Sequence, residues 1–384
     1  MQPLRVAIVG AGRMGQIRAR SAGVHPQCQL THVVDVDRMR AQALASQAGC
    51  AWSDDWEKVV GLAELDAVVV STPHKFLAPI AYAALTAGKH VFCEKPMAGS
   101  AAEGQSLVEA LAKQTGATDQ RKLMVGFTLR QHPAIARARQ LLAAGAIGQP
   151  FYIRGFYGHG GRPGYEREWR LDRRLGGGEL LDQGVHLIDL SRWFLGDFAE
   201  VTGMIGSYYW AGMAETDAPV KSCFACAPEG DAEDNGFLLL RTPSGQTASL
   251  HASWTQWKNA FQFEIYGREG SLAICGLGGS YGPEKLVQTR RNPAGGVPQV
   301  IERNFTYTAS VWQREWQTFV AAIRPDLAPA GECSQAADAV DGWQALRIVE
   351  KVYHCAAGPA RLSAAQAGFE VTDRGEPRCP GVMQ

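Results

Sequence analysis

The sequence lacks an excess of charge of either sign: Lys and Arg number 38, Asp and Glu 38, and the formal net charge is zero. With no field to gather polyphosphate, sequence-independent binding to nucleic acid or to an acidic membrane surface is not expected. Long hydrophobic runs are also missing, since none reaches the ~18 residues that a bilayer-spanning helix needs. The nine cysteines form no disulfide framework. They are odd in number and scattered, which points to a reducing cytoplasm. The chain opens Met1-Gln2-Pro3 and enters a strand-like run at Leu4, so no signal or transit peptide is expected. Repeats and low-complexity tracts are absent. What remains is ordinary globular composition, 46% hydrophobic and 20% charged over 384 residues, a length that suggests two domains.

Short β-branched runs at 4–9, 30–35, 66–72, 90–94 and 122–127 alternate with helical stretches at 13–22, 38–48, 78–87 and 101–115. Ala67-Val68-Val69-Val70 is apolar at successive positions, as a strand covered on both faces requires. The class is α/β, opening with a doubly wound parallel sheet over residues 1–126. From Phe151 the texture changes. Runs at 151–157, 237–241, 247–254 and 261–266 are separated by turn signals, and Phe261, Phe263 and Ile265 alternate with polar neighbours. That period of two suits a sheet with one less-covered face. A helix is expected at 183–194, and closing helices at 311–323 and 335–356. Residues 127–360 therefore read as an α+β domain with an open, mainly antiparallel sheet that offers a dimerisation surface. The tail at 361–384, rich in Gly and Pro, reads as poorly ordered.

Gly10-Ala11-Gly12-Arg13-Met14-Gly15 follows the first strand and opens the first helix. Gly10 permits the tight turn, Gly12 lets a pyrophosphate approach the backbone, and Gly15 packs helix against sheet. The helix start at Arg13 and Met14 supplies free amides and a partial positive charge. Among 43 glycines such a triplet could arise by chance. Asp35, twenty residues beyond Gly15 at the end of the second strand, makes the context that of dinucleotide binding. Its carboxylate suits the hydroxyls of the adenosine ribose and repels a 2′-phosphate by about 1–4 kcal/mol, which favours NAD over NADP. Arg38 and Arg40 argue the other way if they swing toward a phosphate, and not if they lie on a solvated helix face.

Glu94-Lys95-Pro96 ends a strand at the carboxyl edge, where such sheets place ligands, and the proline stiffens the chain just after Lys95. A second cluster runs Gly176-Gly177-Gly178-Glu179-Leu180-Leu181-Asp182-Gln183-Gly184-Val185-His186. Asp182 and His186 are four apart and share a face if both are helical. A carboxylate beside an imidazole can orient it as a general base. A capping aspartate and a satisfied core histidine account for the same spacing.

These elements, with Thr72-Pro73 and Ala87-Gly88-Lys89-His90-Val91, resemble the glucose-fructose oxidoreductase / inositol dehydrogenase / rhizopine catabolism (Gfo/Idh/MocA) family over residues 4–355. The resemblance implies a Rossmann domain followed by an α+β domain whose open sheet mediates homodimers or homotetramers. It implies Lys95, Asp182 and His186 as the catalytic set, which also meets the substrate, and a cofactor site that includes Thr72, Pro73, Glu94 and Lys95. The implied activity is NAD-dependent hydride transfer at a secondary alcohol or ketone of a sugar, a sugar derivative (nucleotide-linked ones included) or a cyclic polyol, with no metal. A cofactor-sensing regulator and a sugar–sugar oxidoreductase that retains its cofactor are the alternatives. The chain departs from the family at His74 and Leu77, where Asn and His are frequent, and carries longer loops at 159–175 and 276–298.

Other features are open. Cys223-Phe224-Ala225-Cys226 is a lone pair without a second one, a weak basis for zinc or redox chemistry. Arg162, Arg167, Arg170, Arg173 and Arg174 are interleaved with Glu166, Glu168 and Asp172, as in a salt-bridged surface loop. Arg170 is also placed to contact an anionic substrate group. Arg130 and His132 either line the cleft or form a structural linker. Trp169, Trp254 and Trp257 are candidates for stacking on a sugar ring, with two of the three expected to pack in the core or sheet.

Overall fold

In the computed structural model, the described residues are 2–113, 121–162, 164–210, 232–306, 310–327, 336–357, 370–371 and 377–378. The Cys223/Cys226 pair and most of the tail lie outside them.

The first half runs β1 (Leu4–Val9), α1 (Arg13–Gly23), β2 (Cys28–Val34), α2 (Arg38–Ala48), β3 (Ala51–Ser53), α3 (Trp56–Val60), β4 (Ala67–Val70), α4 (His74–Thr86), β5 (His90–Glu94), α5 (Ala101–Ala112) and β6 (Leu123–Gly126). The strands β6-β5-β4-β1-β2-β3 are parallel, and all of β4 is buried, as its apolar run requires. Helix starts follow from capping: the Asp37 side chain accepts from the amides of Met39 and Arg40, and that of Ser100 from Glu103. Helix α4 starts four residues before the expected Ala78. Pro73 holds an extended conformation that opens it, and Pro79 is tolerated inside because it lies on the exposed face. The short β3 and α3 were not anticipated; α3 has little apolar periodicity and is set by the Asp55 cap.

The second half runs α6 (Pro133–Ala143), β7 (Pro150–Gly158), a π turn (Leu180–Gly184), α7 (Val185–Leu195), β8 (Glu200–Gly206), β9 (Asn235–Arg241), β10 (Thr247–Ser253), β11 (Ala260–Gly267), β12 (Gly270–Cys275), β13 (Glu284–Arg290), β14 (Gln299–Phe305), α8 (Val311–Ile323), β15 (Ala337–Asp338) and α9 (Ala339–Ala357). Its sheet, β14-β13-β12-β11-β7-β10-β9-β8, is antiparallel except where β10 meets β7. Helices α7 and α9 cover one face. The other carries Met204, Leu239 and Phe151 exposed, beside a Phe237–His251 stack and an Arg154–Glu264 ion pair. Strand β15 returns to pair antiparallel with β6, replacing the first turn of the expected closing helix. Helix α8 seats Trp316, Phe319 and Val320 against Phe92 and the β1 side of the first sheet. Among the described residues no helix is long and apolar enough to cross a membrane.

Candidate active site

The glycine turn between β1 and α1 is closed by its own atoms. A Cβ on Gly10 would lie 2.5 Å from the Ser71 carbonyl oxygen, and one on Gly15 only 1.8 Å from that of Gly10. Gly12 faces open space: no heavy atom lies within 4 Å of where its Cβ would be. It caps α1 without a side-chain hydrogen bond, and no acidic residue sits in the first turn, so amides at the start of α1 are left for an anion. Asp35 is fixed beside this turn, accepting from the amides of Ala11 at 2.7 Å and Asp37 at 2.9 Å. Arg38 and Arg40 pair with Asp54 and Asp37, at 2.6 and 3.1 Å, rather than facing a phosphate position. Thr72, at the end of β4, has a buried hydroxyl with no partner among the described residues. An open glycine, free helix amides, a ribose-sized carboxylate and an unsatisfied hydroxyl together fit a dinucleotide.

Lys95 follows β5 directly. Its neighbour Glu94 is anchored from α1 by the fully buried Arg18 at 2.6 Å, and Arg18 also reaches Glu315 of α8 at 2.7 Å. The lysine Nζ donates to the main-chain oxygen of Asp182 at 2.6 Å and to its carboxylate. The other carboxylate oxygen accepts from Arg170 Nε at 3.0 Å. Lys95 and Arg170 hold this carboxyl well below the usual carboxylate range, against the desolvation that opposes them.

The structure brings His186 close to this pair but not as the i, i+4 geometry suggested. Leu180–Gly184 is a π turn, and both Asp182 oxygens are taken by Lys95 and Arg170 rather than by the imidazole. His186 is 9% exposed, lies edge-on to Phe127 and Tyr157, and has no partner for Nδ1 among the described residues. Burial, and then the Lys95 charge, push it down to about 3, so the ring is neutral at pH 7.

The loop at 159–175 behaves as a salt-bridged segment. Glu168 takes Arg162 at 2.5 Å and Arg170 at 2.8 Å; Arg174 pairs with Asp172, and Arg173 with Glu233. Arg170 thus spends its observed bonds on Asp182 and Glu168. Trp169 packs edge-on against His74 at 4.7 Å, with the Arg170 guanidinium over it. Of the other tryptophans, Trp254 is in the core and Trp257 is exposed. Arg130, expected to meet substrate, is 2% exposed and forms a fork with Asp189 at 2.9 and 2.6 Å, extended to Asp341. Its donors are consumed in a buried ion cluster, which is the structural-linker alternative. His132 likewise faces Glu284 at 2.8 Å.

Sequence reasoning missed several members of the site. His74 binds the Gly176 carbonyl oxygen through Nδ1 at 2.7 Å, tying the Thr72-Pro73 segment to the second glycine run. Burial pushes His74 down to about 3 and His159 down to about 4. Glu179 is 0% exposed with neither carboxyl oxygen partnered among the described residues; burial, then the charges of Asp182 and Glu233, push it well above the usual range. Nothing in the sequence marks an isolated glutamate as buried. The one available signal was its place three residues before Asp182.

Residues 4–126 match the family model described as the oxidoreductase family with an NAD-binding Rossmann fold, and residues 135–273 match that of the GFO/IDH/MocA C-terminal domain. The chain is 29% identical over 295 residues to a levoglucosan dehydrogenase of Pseudarthrobacter phenanthrenivorans, covering 71% of this chain and 74% of that one. It is 31% identical over 274 residues to the scyllo-inositol 2-dehydrogenase (NAD+) of Bacillus subtilis, covering 71% and 73%. The solved structure of levoglucosan dehydrogenase in complex with NADH and L-sorbose superposes with a TM-score of 0.76 at 22% identity, covering 92% of this chain and 97% of that one. With both parts matched in order and the expected two-sheet architecture observed, the chain belongs to the Gfo/Idh/MocA oxidoreductase family.

Proposed function

We propose that the protein is an NAD-dependent dehydrogenase that interconverts a secondary alcohol and a ketone on a sugar, a sugar derivative or a cyclic polyol. The observation that carries this reading is the convergence of the Lys95 ammonium, the Asp182 carboxylate and the neutral His186 at the carboxyl edge of a dinucleotide-binding sheet. The relatives named for levoglucosan and inositol oxidation support the substrate class.

Gly10, Gly12, Gly15 and the amides at Arg13 and Met14 would hold the cofactor's pyrophosphate and Asp35 its adenosine ribose, with Thr72, Pro73 and Glu94 as further residues of its site. Bound there, NAD supplies a hydride acceptor. Lys95 donates to the substrate oxygen and stabilises negative charge developing on it. His186 takes the hydroxyl proton on its imidazole, which the buried site keeps in the base form. Asp182 holds Lys95 in place, and Arg170 holds Asp182 from the other side. The reverse direction returns the same proton from His186.

The uncovered face of the second sheet, with Met204 at 69% and Leu239 at 58% exposure, is the surface through which a homodimer or homotetramer would form. Cys28, Cys50, Cys93, Cys275 and Cys355 are free thiols, which suits a cytoplasmic location.

The test is titration of NAD and NADP into the purified protein, followed by a screen of sugars and polyols at the NADH absorbance band. NAD binding with turnover that vanishes in Lys95→Ala is the expected result. NAD binding without turnover on any polyol or any free or nucleotide-linked sugar contradicts the enzyme reading.

A further inference from the structure

One loop and one amide of the π turn are unused by the chemistry above. The chain from Gly276 to Gly282 turns on four glycines with left-handed φ: Gly276 at 73°, Gly278 at 77°, Gly279 at 53° and Gly282 at 81°. Residues with a Cβ adopt this region only under strain, so the path of the loop is written in its composition. Gly278 N donates to Gly282 O at 2.8 Å, and Asn259 Nδ2 to Ser280 Oγ at 2.8 Å. Immediately beyond, the buried Glu284 accepts the Ala134 amide at 2.5 Å and anchors the exit.

This preset loop delivers Tyr281 inward. Its ring lies 5.6 Å from that of Tyr157, which in turn lies 6.2 Å from His186. The Tyr281 hydroxyl oxygen accepts from Gln183 Nε2 at 3.4 Å. With a donor on its oxygen, Tyr281 has its own proton to give elsewhere. Gln183, adjacent to Asp182, is only 6% exposed, yet its Oε1 has no partner among the described residues. A buried acceptor left without a donor is destabilising. The pair therefore offers one donor and one acceptor beside Tyr157, whose ring in turn lies against His186, and a single hydroxyl can satisfy both.

Resting on the dehydrogenase reading, we propose that Gln183 and Tyr281 recognise the hydroxyl vicinal to the carbinol that is oxidised. That hydroxyl donates to Gln183 Oε1 and accepts from the Tyr281 O–H. The favoured substrate is then a ring-borne vicinal diol, with the C–H face of its ring toward the Tyr281 and Tyr157 planes.

The experiment takes the cyclic polyol that the wild type oxidises fastest, together with its monodeoxy analogues. Wild type, Tyr281→Phe and Gln183→Leu are compared by kcat/KM, with NAD affinity followed in parallel. Tyr281→Phe is expected to lose about tenfold on the parent, mostly through KM, as loss of one hydrogen bond predicts. The loss should shrink below about threefold on the one analogue that lacks the recognised hydroxyl, with Gln183→Leu following the same pattern and NAD affinity unchanged. Equal losses on the parent and every analogue, or a loss below about twofold on the parent, overturn the inference while leaving the dehydrogenase reading intact. A wild type without turnover on any sugar, sugar derivative or polyol overturns both.

Discussion

Lys95 is bonded twice to Asp182, its Nζ meeting both the main-chain oxygen, at 2.6 Å, and the side-chain carboxylate. One residue directly follows a strand of the nucleotide-binding sheet, and the other lies in the π turn that leads into the helix beneath the second sheet. The double contact fixes the ammonium relative to His186, four residues further along the chain.

Replacing Asp182 by Asn keeps the shape but removes the charge that Lys95 and Arg170 share. Turnover is expected to fall by about 10²–10⁴, the span over which positioned proton-transfer groups act. NAD affinity, measured by fluorescence titration, should change little. A fall below tenfold would show that Lys95 does not depend on this carboxylate.

His186→Ala should cost a similar ~10²–10⁴ in kcat, because on the proposed reading it removes the proton acceptor. The variant's residual rate should rise with pH as hydroxide substitutes for the base, and a pH–rate profile checks this.

Glu179 gives a stability prediction with a definite sign. Its folded pKa is raised by burial, so the unfolded chain ionises first, and stability held below the ordinary value of 4.5 is lost as pH rises above it. The isosteric Glu179→Gln has no proton to lose. It should therefore be more stable than wild type at pH 7, with the gain vanishing near pH 4.5. Denaturant unfolding at the two pH values measures it; a variant less stable at pH 7 would refute the upward shift.

Gly12→Ala separates cofactor binding from folding. No protein atom lies within 4 Å of the new methyl, so the melting temperature should hold. The methyl instead occupies the space where a pyrophosphate must approach the backbone, and NAD affinity should drop by about tenfold or more, at least ~1.4 kcal/mol.

Arg130→Ala leaves Asp189 buried without its fork and should destabilise the fold by about 3–5 kcal/mol. KM measured at a temperature where the variant remains folded should be unchanged, since the side chain is consumed in the ion cluster.

The nucleotide half was legible because its signals are local. Gly10, Gly12, Gly15 and Asp35 each answer to a backbone constraint within one βαβ unit, and β1, β5, α2 and α8 have the expected bounds. Lys95 was legible through its place at a strand end. The relation of Asp182 to His186 was misjudged because a π turn and an α-helix share one apolar pattern, and only the three-dimensional position of Lys95 and Arg170 decides where the carboxylate points. Arg130 and Glu179 illustrate the same limit. Whether a charged residue lines a cleft or is buried depends on partners 59 residues away for Arg130–Asp189, and on the packing of an entire second sheet for Glu179. Tyr281 was hidden within a glycine-rich segment that reads as a loop, and whose left-handed glycines fix the path that carries its ring against Tyr157.

The most direct test of the account follows the hydride itself. A cyclic polyol deuterated at its carbinol carbons is incubated with the protein and NAD, and the cofactor is recovered for mass spectrometry. Hydride transfer predicts NADH heavier by one mass unit, formed by wild type and lost in Lys95→Ala and His186→Ala. Ketone formation with unlabelled NADH, or labelled NADH formed equally by the His186 variant, would contradict it.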